Sequence, residues 1–165
     1  LVQNIKHTNG TTAQTIDSSG RVLTPAKPSF FAHRKNQGNQ SLSNNTFTLV
    51  QFNQVDHNIG SHFNTSTYKF TCPVSGVYHF DMWLYIYSAD VAEARFYIND
   101  ASNYRFASVK IGAERNPHGA GGGVTIQLSA NDTVSVYAYA TGSSLAVYDG
   151  SSTEAATMFS GFLVG

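Results

Sequence analysis

The stretch of sequence that decides the fold runs from Gly60 to Tyr87 and reads GSHFNTSTYKFTCPVSGVYHFDMWLYIY. From Val77 onward its apolar residues alternate, which is the period of a β-strand. One face of this strand would carry Tyr78, Phe80, Met82, Leu84 and Ile86. The opposite face would carry His79, Asp81, Trp83, Tyr85 and Tyr87. The first face is predicted to be core, and the second to be half exposed or to contact another subunit.

The same alternation recurs along the rest of the chain. Strands are predicted at 46–52, 68–71, 95–99, 124–128, 134–139 and 159–164. Turn residues separate them at 58–61, 64–67, 99–100, 130–132, 141–144 and 149–152. The glycine-rich stretch Gly119–Gly123 is interpreted as a flexible loop before a strand. Helical periodicity is scarce, so the pattern predicts an all-β sandwich or barrel.

The composition excludes several classes of protein. The 165 residues include 10 basic and 10 acidic side chains, so the formal net charge is +0. This balance argues against a nucleic-acid-binding face, which needs excess positive charge. No apolar run approaches the ~20 residues of a membrane-spanning helix, so no membrane insertion is expected. Only 12% of residues are charged and 13% are aromatic, which favours burial of part of the surface between copies of the chain.

The chain divides into two segments near residue 27. Residues 1–27 hold few aromatic residues and are predicted to form a lead-in segment, a stalk or fibre connection. Within this segment, residues 16–22 are predicted to form a small hairpin, because Asp17 and Gly20 suit turn positions. Residues 28–165 are predicted to form a globular head.

Within that head, the stretch from Gly60 to Phe80 carries a specific motif. An aromatic residue and an Asx turn precede Phe-Thr-Cys-Pro-Val at residues 70–74, and Gly-Val-Tyr-His-Phe follows at 76–80. This pattern resembles the globular-head domain of complement component 1q. Similar pieces occur in order at 28–32, 124–134 and 159–163. The family often has glycine after the Asx turn, where this chain has Tyr68.

The resemblance implies a fold and an assembly. We expect a ten-stranded jelly-roll sandwich of the complement 1q and tumour-necrosis-factor type, assembled as a homotrimer. Trp83, Tyr85, Tyr137 and Tyr139 are the candidates for subunit contact, because several strands carry aromatic residues on the second face too. The other interpretation of these four is a large core with scattered surface tyrosines.

The lead-in segment carries a second, shorter resemblance. Residues 15–22, followed by Pro25, Pro28 and Phe30, are similar to the segment that precedes such heads in structural proteins of tailed bacteriophages. The resulting hypothesis is a non-enzymatic head of a tail fibre or virion protein at the virion surface, which is extracellular. Its partner would be a host cell-surface receptor, a saccharide or a protein. The alternatives are a secreted recognition protein of the same fold and a purely structural trimerisation head.

Loops on a rigid scaffold usually form the contact surface of such a head. Tyr104, Arg105, Arg115 and Tyr148 are the candidate receptor-binding residues, because stacking and hydrogen-bonding side chains of this kind dominate binding interfaces.

The sequence predicts no enzyme and no cofactor. It lacks a Gly-x-Ser-x-Gly motif, and its carboxylates are dispersed. Cys72, the only cysteine, is interpreted as a small buried apolar residue. His57 and His62 near Asp56 leave a transition-metal site conceivable, but solvated or packing histidines are favoured. No residues mark a calcium site, so none is assigned.

Overall fold

The computed structural model describes residues 3–106, 118–150 and 155–165. Over these ranges the chain forms no helix and fourteen β-strands: β1 (Asn4–Lys6), β2 (Thr12–Ile16), β3 (Val22–Leu23), β4 (Ser29–His33), β5 (Gln40–Ser41), β6 (Thr48–Leu49), β7 (Gln54–Ile59), β8 (Phe63–Asn64), β9 (Lys69–Thr71), β10 (Gly76–Ile98), β11 (Ala101–Phe106), β12 (His118–Leu128), β13 (Thr133–Val147) and β14 (Met158–Leu163).

One long strand belongs to both sheets of the head. The first half of β10 lies between β14 and β12, which gives a first sheet with the order β7-β4-β14-β10-β12. Register shifts between Tyr87 and Val91 bend the strand. Its second half then pairs with β13 and β11 in a second sheet, which β5, β6, β9 and β8 complete.

The expected all-β jelly-roll sandwich is confirmed. The head has eleven hydrogen-bonded strands where ten were expected. Two features change the count. β10 is counted once although it belongs to both sheets, and one edge of β13 pairs with three short strands, β5, β6 and β9.

Phenylalanine rings fill the space between the sheets. The ring of Phe30 stacks on Phe63 and on Phe70 at centroid distances of 5.0 Å, and meets Phe159 edge-on at 4.8 Å. The five residues predicted to form the inner face of β10 are at most 3% exposed, which confirms that prediction. Burial of these large rings is the main stabilisation of the fold.

Two sequence-based loop predictions are wrong. The glycine-rich stretch Gly119–Gly123 is not a loop but part of β12, paired with β10 from Trp83 opposite Gly121 to Asp81 opposite Gly123. The predicted turn at 141–144 lies inside β13 as an irregular segment, where Gly142 and Ser144 have positive φ. At Gly119–Gly123 unbroken cross-strand pairing overrides the local preference of glycine for turns. At 141–144 the pairing with β10 skips from Gly142 to Ala146, so the strand continues through an irregular segment.

The lead-in segment forms its own small sheet. Strands β1, β2 and β3 pair in that order, and β2 with β3 forms the predicted hairpin. Asp17 holds its turn by accepting hydrogen bonds from the backbone N–H groups of Ser19 and Arg21. The chain then enters the head beside its own C-terminus, where the Lys27 ammonium donates to the Val164 carbonyl at 2.9 Å. We call this end of the head the base.

Candidate functional site

The outward side of the first sheet carries the first candidate surface. We call it the aromatic face and define it by His79, Asp81, Trp83 and Tyr85 on β10 and Phe162 on β14. Trp83 is 42% exposed and Phe162 is 45% exposed, although both are large and apolar. Trp83 meets Tyr85 edge-on at a centroid distance of 6.2 Å. Phe162 lies opposite His79 and Trp83 opposite Met158, so the two exposed rings flank Asp81 on one side of the sheet. Large apolar side chains exposed on one side of a sheet are typical of an interaction site.

Glycines of β12 make room for the aromatic face. A Cβ on Gly119 would lie 2.5 Å from the Trp83 ring, and one on Gly121 would lie 2.6 Å from it. A Cβ on Gly123 would collide with the Asp81 carboxylate. The outward positions of β12 opposite Asp81 and Trp83 therefore have no side chains, and the indole packs directly against the β12 backbone. Glycine at every second position of β12 is the sequence signal for this packing, and the sequence analysis missed it.

A polar cluster borders the two exposed rings. His79 hydrogen-bonds Asp81 at 2.8 Å through Nε2 and Thr125 at 2.8 Å through Nδ1, and its ring contacts Phe162 at 5.4 Å. Hydroxyl, imidazole and carboxylate thus form a chain, but Asp81 is 59% exposed on the open side of a sheet. Electrostatic stabilisation of a reaction is weak in so exposed a site, so this cluster is interpreted as part of a contact surface.

The outward side of the second sheet carries another aromatic group. We call it the tyrosine patch and define it by Phe47, Arg95, Tyr97, Tyr137 and Tyr139. Tyr97 stacks on Tyr137 at 4.1 Å, and Phe47 packs on Tyr139 at 4.9 Å. The Arg95 guanidinium lies 4.2 Å from the Phe47 centroid, in cation–π geometry.

The tyrosine patch is largely satisfied within one chain. The Tyr137 hydroxyl donates to Asp100 at 3.5 Å, and the Tyr139 hydroxyl donates to Asn45. Burial, and secondarily the Asp100 carboxylate, raise the pKa of Tyr137 above its ordinary value. The four predicted subunit-contact residues therefore fall into two groups on different sheets: Trp83 with Tyr85, and Tyr137 with Tyr139.

Comparison with known proteins identifies the family. The sequence model of the C1q domain matches residues 29–164, which is nearly the whole head. The chain belongs to the C1q domain family. The match ends one residue before the C-terminus and begins at the first residue of β4.

Solved structures agree with the fold of this C1q domain. The globular domain of zebrafish complement 1qA is 23% identical, and the match covers 84% of this chain and 98% of that chain at a TM-score of 0.57. Eiger TNF from S. frugiperda is 11% identical, with 85% and 94% covered at a TM-score of 0.66. Murine APRIL is 10% identical, with 84% and 99% covered at 0.61.

The predicted receptor-binding residues are only partly described in this C1q domain. Tyr104 and Arg105 lie on β11 by backbone position, and their side chains lie outside the described residues. Arg115 also lies outside them. Tyr148 is half-buried and meets Tyr87 edge-on at 5.3 Å. The four are therefore still predictions.

The described part of the chain holds no group of three or more His, Cys, Asp or Glu side chains that could bind a metal ion. Asp56, near the two histidines considered for such a site, hydrogen-bonds His33 at 3.0 Å. Cys72 is fully buried, and burial raises the pKa of its thiol to about 12. Within the described ranges, no helix has the length and hydropathy to span a membrane.

The sequence analysis also missed a buried ion pair at the edge of the head. Arg34 and Asp149 are both buried, with 3.6 Å between Nη2 and Oδ1. Arg34 donates to the carbonyls of Gln51 and Gly38, and Asp149 accepts from the backbone N–H groups of Gln37 and Gly38. The pair fixes residues 34–40 against the end of β13. No local sequence pattern predicts it, because the two residues are far apart in the chain.

Proposed function

We propose that this C1q domain is the trimeric, non-enzymatic head of a bacteriophage tail fibre or virion protein and binds the host surface during attachment. The observation that carries the proposal is the position of the two ends of the head. The Leu163 N–H donates to the Pro28 carbonyl at 3.0 Å, so the head begins and ends at the base, beside the lead-in sheet. This arrangement suits a head carried on a stalk.

The end of the head away from the base is then free for contact. β10 leaves the base at Gly76 and bends after Tyr87, so the bend lies about 35 Å away at ~3.3 Å per residue. Asn44, Asn45, Asp90, Gly142 and Ser143 line a polar depression of about 520 Å³ there. Hydroxyl and amide groups beside one carboxylate suit the hydroxyl groups of a saccharide or the polar groups of a protein loop.

Trimer formation would cover the aromatic face. A closed three-fold ring joins two different surfaces of the chain, one from each neighbour. Trp83 and Tyr85 are proposed to form one of them, and Tyr137 and Tyr139 remain the candidates for the other. Removing exposed aromatic surface from water contributes about 25 cal/mol per Å².

Two measurements test the proposal. Sedimentation of the purified chain at micromolar concentration should give three chains per particle, whereas a monomer would contradict the assembly. Trp83→Ser should weaken the trimer, and Tyr139→Ser tests the second surface in the same assay. The purified chain should also adsorb to host cells and compete with infection. A stable trimer that never adsorbs, with infection unchanged when the head is deleted, would leave a structural trimerisation head as the function.

A further inference from the structure

The lead-in sheet has one apolar side that its own chain leaves exposed. Ile5 lies opposite Gln14 on β2, and Ile16 lies opposite Val22 on β3. Gln14 and Ile16 are two residues apart on the same strand, so all four share one side of the sheet. Ile5 is 54% exposed, Ile16 is 42% exposed and Val22 is 60% exposed.

The opposite side of the same sheet is more polar. Thr15 pairs with Asn4 on β1 and with Leu23 on β3. The Thr15 hydroxyl donates to the Asn4 side-chain oxygen at 2.8 Å. Leu23 is thus a neighbour of Val22 in sequence that points to the other side of the sheet.

A groove continues the apolar side onto the head. It has a volume of about 490 Å³ and is lined by Ile5 and Gln14 from the lead-in sheet and by Pro73, Val74, Leu163 and Val164 from the base. Val74 and Val164 at its rim are themselves exposed. The apolar surface therefore continues from the lead-in sheet to the base.

This surface favours a neutral, apolar partner. A sheet buries an apolar side against a second layer, and a single layer of three short strands is marginal by itself. Lys6 is the one charged residue within β1, β2 and β3, and Asp17 and Arg21 of the adjoining turn pair with each other. The groove adds two basic residues, His62 and Lys27, and the Lys27 ammonium already donates to the Val164 carbonyl. Its lining holds no acidic residue, so the surface as a whole offers few charges to a strongly charged partner.

We propose that the apolar side of the lead-in sheet packs against the same side of the lead-in sheets of two further copies of this chain, which also closes the base groove. The inference rests on the proposed trimer. Each lead-in joins its head at the same base, so a trimer carries three lead-in sheets at one end, and the proposed packing turns their identical apolar sides toward the three-fold axis. Tethering to the heads holds them at high effective concentration, which offsets the small area of each sheet.

Cross-linking of the full chain tests this packing. Val22→Cys places a thiol on the apolar side, and Leu23→Cys is the matched control on the other side of the same strand. Mild oxidation should convert up to two of three Val22→Cys chains into a covalent dimer, since three thiols around one axis form one disulfide. Leu23→Cys should stay uncross-linked, and native Cys72 is buried and does not compete.

Sedimentation of both variants before oxidation separates the possible failures. Trimers in which Val22→Cys does not cross-link, or in which both variants cross-link equally, would overturn the packing and leave the trimer intact. Monomers would overturn both. Val22→Glu should lower the dissociation midpoint of the trimer more than Leu23→Glu, and the emission of Trp83 reports whether each head is folded.

Discussion

Trp83 fills the space that a side chain on Gly121 would need. A Cβ on Gly121 would lie 2.6 Å from Cε3 of Trp83 and 2.5 Å from the backbone oxygen of Met82. We expect Gly121→Ala to destabilise the head by about 1–3 kcal/mol, because both the ring and the backbone must shift. Chemical denaturation measures the loss. The emission of Trp83, the only tryptophan, reports the movement of the ring.

Gly119→Ala is the matched control for this prediction. The three atoms nearest to its Cβ would all belong to the Trp83 ring, the first at 2.5 Å, and a side chain gives way more easily than the backbone does. We expect a shift in emission with a smaller loss of stability. If Gly121→Ala left both the emission and the unfolding midpoint unchanged, the close packing of Trp83 on β12 would be disproved.

Tyr68 adopts a left-handed backbone conformation, with φ of 60°. A side chain there costs about 1–2 kcal/mol, and glycine avoids this strain. We expect Tyr68→Gly to be more stable than Tyr68→Ala by about 1 kcal/mol, since both remove the ring and only alanine keeps the strain. Thermal unfolding of the two variants measures the difference. At an ordinary strand position the order is reversed, so alanine proving the more stable would refute the conformation.

Replacing one partner of the buried pair of Arg34 and Asp149 should destabilise the head strongly. Asp149→Asn or Arg34→Met should each destabilise the head by about 3–5 kcal/mol, because the remaining group loses its buried partner. Burial lowers the pKa of Arg34, and the Asp149 carboxylate opposes that shift. The double variant Arg34→Met with Asp149→Asn should lose less than the two single losses added together. Equal and additive losses in denaturation would mean that the two groups do not interact.

The exposed pair of Asp17 and Arg21 offers a contrast for those variants. Its side chains meet at 2.7 Å, but the Arg21 side chain is largely exposed. Such pairs contribute little because water screens them. Arg21→Ala should barely change the stability of the chain, in contrast to the loss expected for the buried Arg34.

Cys72 makes stability depend on pH in alkaline solution. Burial, aided by Asp132, raises the pKa of its thiol from 9.0 to about 12. Between these values the unfolded chain releases a proton that the folded chain retains, so stability falls as pH rises. The slope reaches about 1.4 kcal/mol per pH unit for one group. Burial also raises the pKa of Tyr78, which adds a slope of the same sign.

Cys72→Ala separates the contribution of the thiol from those of Tyr78 and Tyr137, whose pKa values are also raised. We expect it to reduce the loss of stability between pH 9 and pH 12 without abolishing it, as measured by denaturant unfolding at each pH. Identical slopes in the native chain and the variant would show that the thiol ionises equally in both states.

Alternation predicted the inner face of β10, because the period of a strand needs only local sequence. Alternation did not predict that β10 continues for 23 residues through both sheets. The bend at Tyr87–Val91 depends on register shifts against β13, and pairing with a distant strand leaves no local mark. The same reason explains the error at Gly119–Gly123, where glycines avoid side chains projecting from β10.

The candidate surfaces, like the fold, were predicted only in part. Trp83 was recognised as an outward aromatic residue from its position in the alternation. Phe162, on the same side of the sheet, was assigned only to a terminal strand, since its contact with His79 follows from the pairing of β14 with β10. Tyr137 and Tyr139 were grouped with Trp83 because strand period alone does not say which sheet a strand joins.

The continuity of β10 has a consequence for how the head melts. A strand central to both sheets leaves no point at which one sheet can detach while the other persists. Loss of pairing on either side exposes the phenylalanine rings that the opposite sheet covers. The head is thus a single cooperative unit. Its calorimetric and van't Hoff enthalpies of unfolding should coincide when the van't Hoff value is taken from the equilibrium between the folded trimer and three unfolded chains.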